Sequence, residues 1–345
     1  MVIVLIIPSM RYSNFLLLGC VMCAALLPGC DRSGTSAPKT PHIAYITNGV
    51  ASFWTIAKFG AEAAGRNLGV NVSIHMPAEG IADQKRIVED LLTRGVDGIA
   101  ISVIDANNQT GFLNESAIHT KLITHDADAP ASARLAYVGM DNYQAGRMLG
   151  EMIKRSLPQG GSLAIVVGRV EQDNARKRRQ GVIDEVLGRS FDSSRYDPPG
   201  QEITNGTYTF AVTLTDQFDR VKAKANCEDA LLRYPSLTAI VGLFAYNTPL
   251  CLEALKQAGK QRTVKLFSFD EADETLQGIK DGYVVGTVVQ NPYEYGLQSV
   301  TLLKELIAGN SSTIPESKFI DIPARAIEKD TVDEFWADLK KKTAS

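Results

Sequence analysis

Short apolar runs alternate with longer stretches whose apolar residues recur every three or four positions. The runs predict strands at His42–Thr47, Asn71–His75, Gly98–Ser102, Lys121–His125, Ala136–Gly139, Leu163–Val167, Ala239–Phe244, Lys265–Phe269, Val284–Val289 and Phe319–Ile322. The stretches between them predict helices at Phe53–Leu68, Asp83–Arg94, Tyr143–Ser156, Asn174–Leu187, Asp219–Arg233, Pro249–Gly259 and Glu294–Ala308. In 82–95, Ile87, Val88, Leu91 and Leu92 share one helical face, and Gly95 stands where a helix ends. Strand–helix alternation over this length predicts an α/β protein with parallel sheets covered by helices on both faces. No internal repeat stands out in the residues themselves.

The N-terminal segment follows a different pattern. A charged start at Met10-Arg11, an apolar core from Phe15 to Leu27 and the ending Leu27-Pro28-Gly29-Cys30 form a bacterial secretory leader. The apolar core is short for a membrane span. Leu-x-Gly-Cys resembles a lipobox, which implies cleavage before Cys30 and a lipid anchor on that residue. The expected organisation is a signal peptide at 1–29 and a Pro/Ser/Thr-rich tether at 30–41, with Met10 as an alternative start. The remaining Cys227 and Cys251 fall in successive predicted helices and are expected to be buried without a bond, a disulfide being the alternative.

In all, 345 residues with 45% hydrophobic and 22% charged side chains suit two globular domains, and a net charge of −3 offers no general basis for nucleic-acid binding. The one basic run, Arg176-Lys177-Arg178-Arg179, reads mainly as a solvated helix face. His125 adjoins Asp126, but His42, His75 and His119 complete the histidines without metal-ligand spacing. No nucleophile elbow, phosphate loop or dinucleotide fingerprint follows a predicted strand. No catalytic residue, metal or cofactor is therefore expected, and the protein reads as a binder and not an enzyme.

In open α/β sheets ligands bind beyond the carboxyl ends of the strands. The residues at those ends are Asn48, Phe53 and Trp54, then His125, Asp126 and Asp128, then Asp173, Asn174 and Arg176, and finally Asn247, Asp270 and Gln290. Carboxylates and amides pair with vicinal hydroxyls, arginine donates a fork of hydrogen bonds, and aromatic faces cover the C–H face of a sugar ring. Phe53 and Trp54 are adjacent, about 100° apart on a helix, so they are not expected to share one core.

Six segments in order resemble periplasmic sugar-binding proteins of the ribose/galactose/xylose type. They are SFWTIAKFGAEAAGRNLGV, QKRIVEDLLTRGVDGIAIS, ITHDADAPASARLAYVGMDNYQAGRMLG, NARKRRQGV, TDQFDRVKAKANCEDALLRYPSLTAIVGLFAYN and FSFDEADETLQGIKDGYVVGTVVQNPYEYG. The resemblance implies a type I periplasmic binding protein fold: two similar doubly wound domains joined by three hinge crossings, with ligand enclosed between them. Crossings near Asp141–Asn142, Asn291 and Asp321 divide the chain into one lobe of 42–142 plus 291–320 and another of 143–290 plus 321–345. By the same resemblance the ligand set is Asn48, Phe53, Trp54, Asp126, Asp128, Arg176, Phe218, Asn247, Asp270 and Gln290.

The implied function is capture of a monosaccharide, pentose or hexose, for an ABC-type permease. The protein would be a monomer in the periplasm or at the cell surface, anchored to the membrane through Cys30. A same-fold sensor presenting a sugar or furanosyl signal to a membrane receptor is the alternative. Ribose binders commonly carry Asn-Pro before the aromatic pair and Asp-Arg after the fourth strand. Ala51-Ser52 and Asp126-Ala127 stand there instead, which argues against ribose in particular.

Overall fold

The computed structural model describes residues 39–343; the leader, Cys30 and most of the tether lie outside the described residues. In chain order the elements are β1 (His42–Ile46), α1 (Ser52–Leu68), β2 (Asn71–His75), α2 (Ile81–Thr93), β3 (Gly98–Ile101), α3 (Ala106–His119), β4 (Lys121–His125) and β5 (Tyr137–Gly139). There follow α4 (Asn142–Ser156), β6 (Gly161–Val167), α5 (Asp173–Val186), β7 (Ile203–Thr204), β8 (Tyr208–Thr215), α6 (Arg220–Arg233), β9 (Leu237–Gly242), α7 (Asn247–Gln257), β10 (Lys265–Phe269), α8 (Asp273–Lys280) and β11 (Gly286–Val289). The chain closes with α9 (Pro292–Ile307), β12 (Phe319–Asp321), β13 (Arg325–Ile327) and α10 (Val332–Thr343).

Two sheets result. One runs β12-β5-β4-β3-β1-β2 and is parallel throughout. The other runs β13-β11-β10-β9-β6-β8-β7, with antiparallel pairing only at its two edges. Successive residues of a strand face opposite sides, and the cores follow that rule. Ile43 and Tyr45 of β1 pack toward α1 and α9, while Ala44 and Ile46 pack toward α2 and α3. Leu163, Ile165 and Val167 of β6 face α4 and α5, while Ala164 and Val166 face α6, α7, α8 and α10. The fold is thus the expected pair of α/β lobes, and the backbone passes between them after β5, after β11 and after β12. Among the described residues no helix is long and apolar enough to cross a membrane.

The lobes repeat one another in a way the residues conceal. In each, the helix after a crossing lies almost backbone-to-backbone on the first helix of its lobe. A Cβ on Gly296 of α9 would sit 2.1 Å from the Ala57 carbonyl oxygen of α1. A Cβ on Gly146 of α4 would sit 2.2 Å from the Arg178 carbonyl oxygen of α5. Side chains Asp141 and Asn291 accept hydrogen bonds from the first-turn amides of α4 and α9, fixing where each helix leaves its crossing.

Several expectations are corrected. Elements α3, β7, β8, α8, β13 and α10 were not predicted; β8 lies beside β6 as a central partner. Cys227 of α6 and Cys251 of α7 are bonded, because the two helices pack side by side and bring their Cα atoms to 5.4 Å. The basic run is not a solvated face: Arg178 and Arg179 are fully buried. Arg179 donates to Thr213 Oγ1 at 2.8 Å and to the Asp197 carbonyl at 2.7 Å.

Candidate functional site

The carboxyl ends of both sheets open onto one cleft of about 1020 Å³. The first lobe contributes Asn48, Phe53, Trp54 and Asp126; the second contributes Asn174, Arg178, Phe218, Phe244, Asp270, Glu271 and Gln290.

Its floor is built from charge shared across the lobes. Asp126 follows β4 and Asp270 follows β10, equivalent strands of the two sheets. Both adopt left-handed backbone, φ 56° and 67°, which costs a non-glycine residue on the order of 1 kcal/mol. Each turn is pinned identically. The amide donates to the neighbouring strand, Asp126 to Val138 and Asp270 to Val288, and each carbonyl accepts a hydroxyl, from Tyr137 or Thr287, at 2.8 Å.

Arg178 lies between the carboxylates, Nη2 3.9 Å from Asp126 Oδ1 and Nη1 3.8 Å from Asp270 Oδ2. Its Nε donates to Asn142 Oδ1 at 2.8 Å and its Nη1 to the Leu243 carbonyl at 3.2 Å, so the guanidinium is locked. Nη2 and Glu271 Oε2 are buried without a partner. Ser102 donates to Asp126 at 3.1 Å, and Gln290 donates to Asp270 at 2.7 Å while accepting from Tyr295 of α9.

Burial pushes the Asp126 carboxyl up to about 7; Arg178 opposes the shift and Asp270 adds to it. Asp270 is raised by burial as well, and Glu271 well above the carboxylate range. The floor therefore holds hydrogen-bond capacity of both signs with unsatisfied sites.

Aromatic rings stand on either side. Phe53 and Trp54 pack edge to face at 4.8 Å, and Trp54 is edge-on to His125 at 5.7 Å. Both belong to the same apolar cluster as Tyr45 and also line the cleft, so the expected separation of the pair does not hold. The first turn of α1 lies where that cluster meets the cleft. Opposite, Phe218 meets Phe244 at 5.6 Å, and Phe244 stacks on Tyr246 at 6.2 Å. Phe218 also sits in left-handed backbone, with Arg169 over its ring at 5.5 Å.

The periplasmic binding protein domain family matches residues 43–311. The chain belongs to that family. It is 24% identical over 262 residues to the ribose import binding protein of Salmonella typhimurium, covering 74% of this chain and 81% of the relative. It is 25% identical over 289 residues to the D-allose-binding periplasmic protein of Escherichia coli, covering 78% and 86%. A solved ABC transporter solute-binding protein from Burkholderia graminis, in complex with D-arabinose, superposes with a TM-score of 0.76 at 27% identity, covering 84% of this chain and 96% of that one. These periplasmic binding proteins are named for sugars, and the fold is the type I fold that the residues led us to expect.

Within this periplasmic binding protein, Asn48, Phe53, Trp54, Asp126, Phe218, Asp270 and Gln290 come together in the cleft. Asp128, Arg176 and Asn247 do not. Asp128 turns away to take a forked pair from Arg134, 2.5 and 2.7 Å, and a bond from Thr124 at 2.6 Å. Arg176 is on the outer side of α5, paired with Asp173 at 2.7 Å. The arginine in the cleft is two residues on, at Arg178, and helical phase could have found it, since Arg178 lies one turn before buried Val182. Asn247 is buried beneath the cleft, accepting from the Phe244 amide and donating to Asp216. Phe244, Tyr246 and Glu271 were missed, although each sits just past a predicted strand.

His125 is structural. Its Nε2 bonds the Ile46 carbonyl, which only accepts, so Nδ1 takes the Tyr45 hydroxyl. It stacks on Tyr45 at 4.1 Å, and burial lowers it to about 3. Among the described residues no group of three or more His, Cys, Asp or Glu is placed to hold a metal.

Proposed function

We propose that this protein is an exported, lipid-anchored solute-binding protein that captures a pentose or hexose between its lobes and delivers it to an ABC-type permease. The observation that carries this reading is the Asp126–Arg178–Asp270 floor, drawn from both lobes and set between facing aromatics. Vicinal hydroxyls can donate to the carboxylates while a ring or hydroxyl oxygen accepts from Arg178 Nη2. A ligand so held touches both lobes only when they are close, so its binding shifts the hinge equilibrium toward closure.

Relatives named for ribose and D-allose, and a neighbour holding D-arabinose, support a small sugar. Ala51-Ser52 and Ala127 argue against ribose itself. The lobes we propose are 42–142 plus 291–320 and 143–290 plus 321–345, and the anchor is Cys30. Its neutral, enclosed His125 supports binding without turnover.

A thermal-shift screen against ribose, allose, arabinose, xylose, galactose, polyols and nucleosides tests the reading. A ligand at 100 times its Kd stabilises by about 2.7 kcal/mol. At least one sugar should raise Tm, and Trp54→Ala, Asp270→Ala and Arg178→Ala should each abolish that rise, while Arg176→Ala keeps it. No shift with any polar ligand refutes sugar capture. An unmodified Cys30 in native membranes refutes the anchor.

A further inference from the structure

The C-terminal helix α10 belongs by its root to the second lobe. Val332 is fully buried and Phe335 nearly so in the core beneath α8, and Trp336 Nε1 donates to Asp273 Oδ1 at 2.8 Å. Its far end does something else. Trp336, Leu339 and Thr343 line the cleft together with Phe59 of α1. The helix packs on α1, the helix that carries Phe53 and Trp54. Lys342, held by Asp338 at 2.9 Å, places its ammonium 5.9 Å from the Tyr293 ring of α9. Both α1 and α9 are first-lobe helices. One rigid element is thus embedded in one lobe and rests on the other along an edge of the ligand cleft.

We propose that α10 is a strap: a fourth, non-covalent tie between the lobes, beside the three backbone crossings, that favours the near-closed arrangement before ligand arrives and walls one side of the cleft. Hinge opening must separate its last turn from α1 and α9. A receptor whose binding-competent state is only partly populated loses apparent affinity by that fraction. A tie of one exposed cation–aromatic contact plus one partly buried leucine changes that fraction by about 3–10-fold.

The test uses the full chain with Leu339→Ser and Lys342→Ala combined, and separately Tyr293→Ala on the opposing lobe. Small-angle scattering without sugar reads the hinge directly. Calorimetry then reads Kd for whichever sugar raises Tm. The strap predicts a larger radius of gyration in both variants, unchanged circular dichroism and a 3–10-fold weaker Kd. An unchanged radius in both overturns it.

The affinity arm rests on the sugar-binding reading; the scattering arm does not. A larger radius with no sugar bound by any form upholds the strap and refutes sugar capture. Normal sugar binding with an unchanged radius refutes the strap alone.

Discussion

At Asp126 and Asp270 the chain accepts backbone strain and carboxylate burial together, and both have measurable signs. The Asp126 carboxyl titrates near 7 in the folded protein against an ordinary 3.8. The folded state therefore holds a proton that the unfolded state has released between those values. Asp126 leaves stability highest below about pH 4, erodes it as pH rises toward 7, and adds nothing further above that. His125 acts oppositely: lowered from 6.5 to about 3, it contributes stability present above 6.5 and lost as pH falls toward 3. In Asp126→Asn the first contribution disappears. Relative to the natural protein, the variant should gain about 2 kcal/mol of unfolding free energy between pH 5 and pH 8, measured by urea titration. Parallel pH profiles would contradict the burial of a titrating Asp126. Residue-scale legibility follows the same physics. Asp126 and Asp270 were readable because strand ends are few and their polar residues stand out. Arg178 was not, because four basic residues in a row hide their helical phase.

At the scale of elements, the contact between α4 and α5 is the one that carries Arg178. Gly146 lets the two backbones meet at the Arg178 carbonyl itself. In Gly146→Ala the added methyl must push the helices apart there, with an expected loss of about 1–3 kcal/mol of stability. It should also weaken sugar binding, because Arg178 moves off the line between its carboxylates. Denaturant titration and calorimetry on the same sample check both, and unaltered affinity would show that the floor tolerates the shift. The matching position, Gly296, carries no cleft arginine, so its alanine variant separates packing loss from binding loss.

Elements with strong periodicity were legible: β1, α1, β4, α4 and β10 all appear where expected. Those missed have physical reasons. Helix α3 (ANNQTGFLNESAIH) buries few apolar residues and starts on an Asp105 cap, and β8 (YTFAVTLT) alternates threonine with apolar residues. Helix α10 was legible and overlooked, since Val332, Phe335, Trp336 and Leu339 are spaced as one apolar face.

For the whole molecule, the two-lobe fold could be read from alternation and family pattern, while the repeat of one lobe in the other could not. The halves share backbone geometry with few shared residues, such as Tyr143 and Gly146 against Tyr293 and Gly296. Hinge behaviour is testable at this scale. Addition of a sugar that raises Tm should shrink the radius of gyration, and sugars without a Tm effect should leave it unchanged. A thermal shift with no change in radius would mean that ligand binds one lobe without closing the pair. The Cys227–Cys251 bond was not legible either, because adjacency of α6 and α7 is a tertiary fact.

The pairing of α1 with α9 has a consequence for how the chain comes into being. The first lobe begins at His42, but the helix that covers α1 starts only at Pro292 and its last strand ends at Asp321. Everything between the first crossing and Pro292 must be made before the first lobe can finish its core. Synthesis therefore delivers a long nascent segment with an unclosed apolar face, and folding is postponed to the end of the chain. In a periplasmic family, that delay keeps the polypeptide threadable for as long as its passage across the membrane requires.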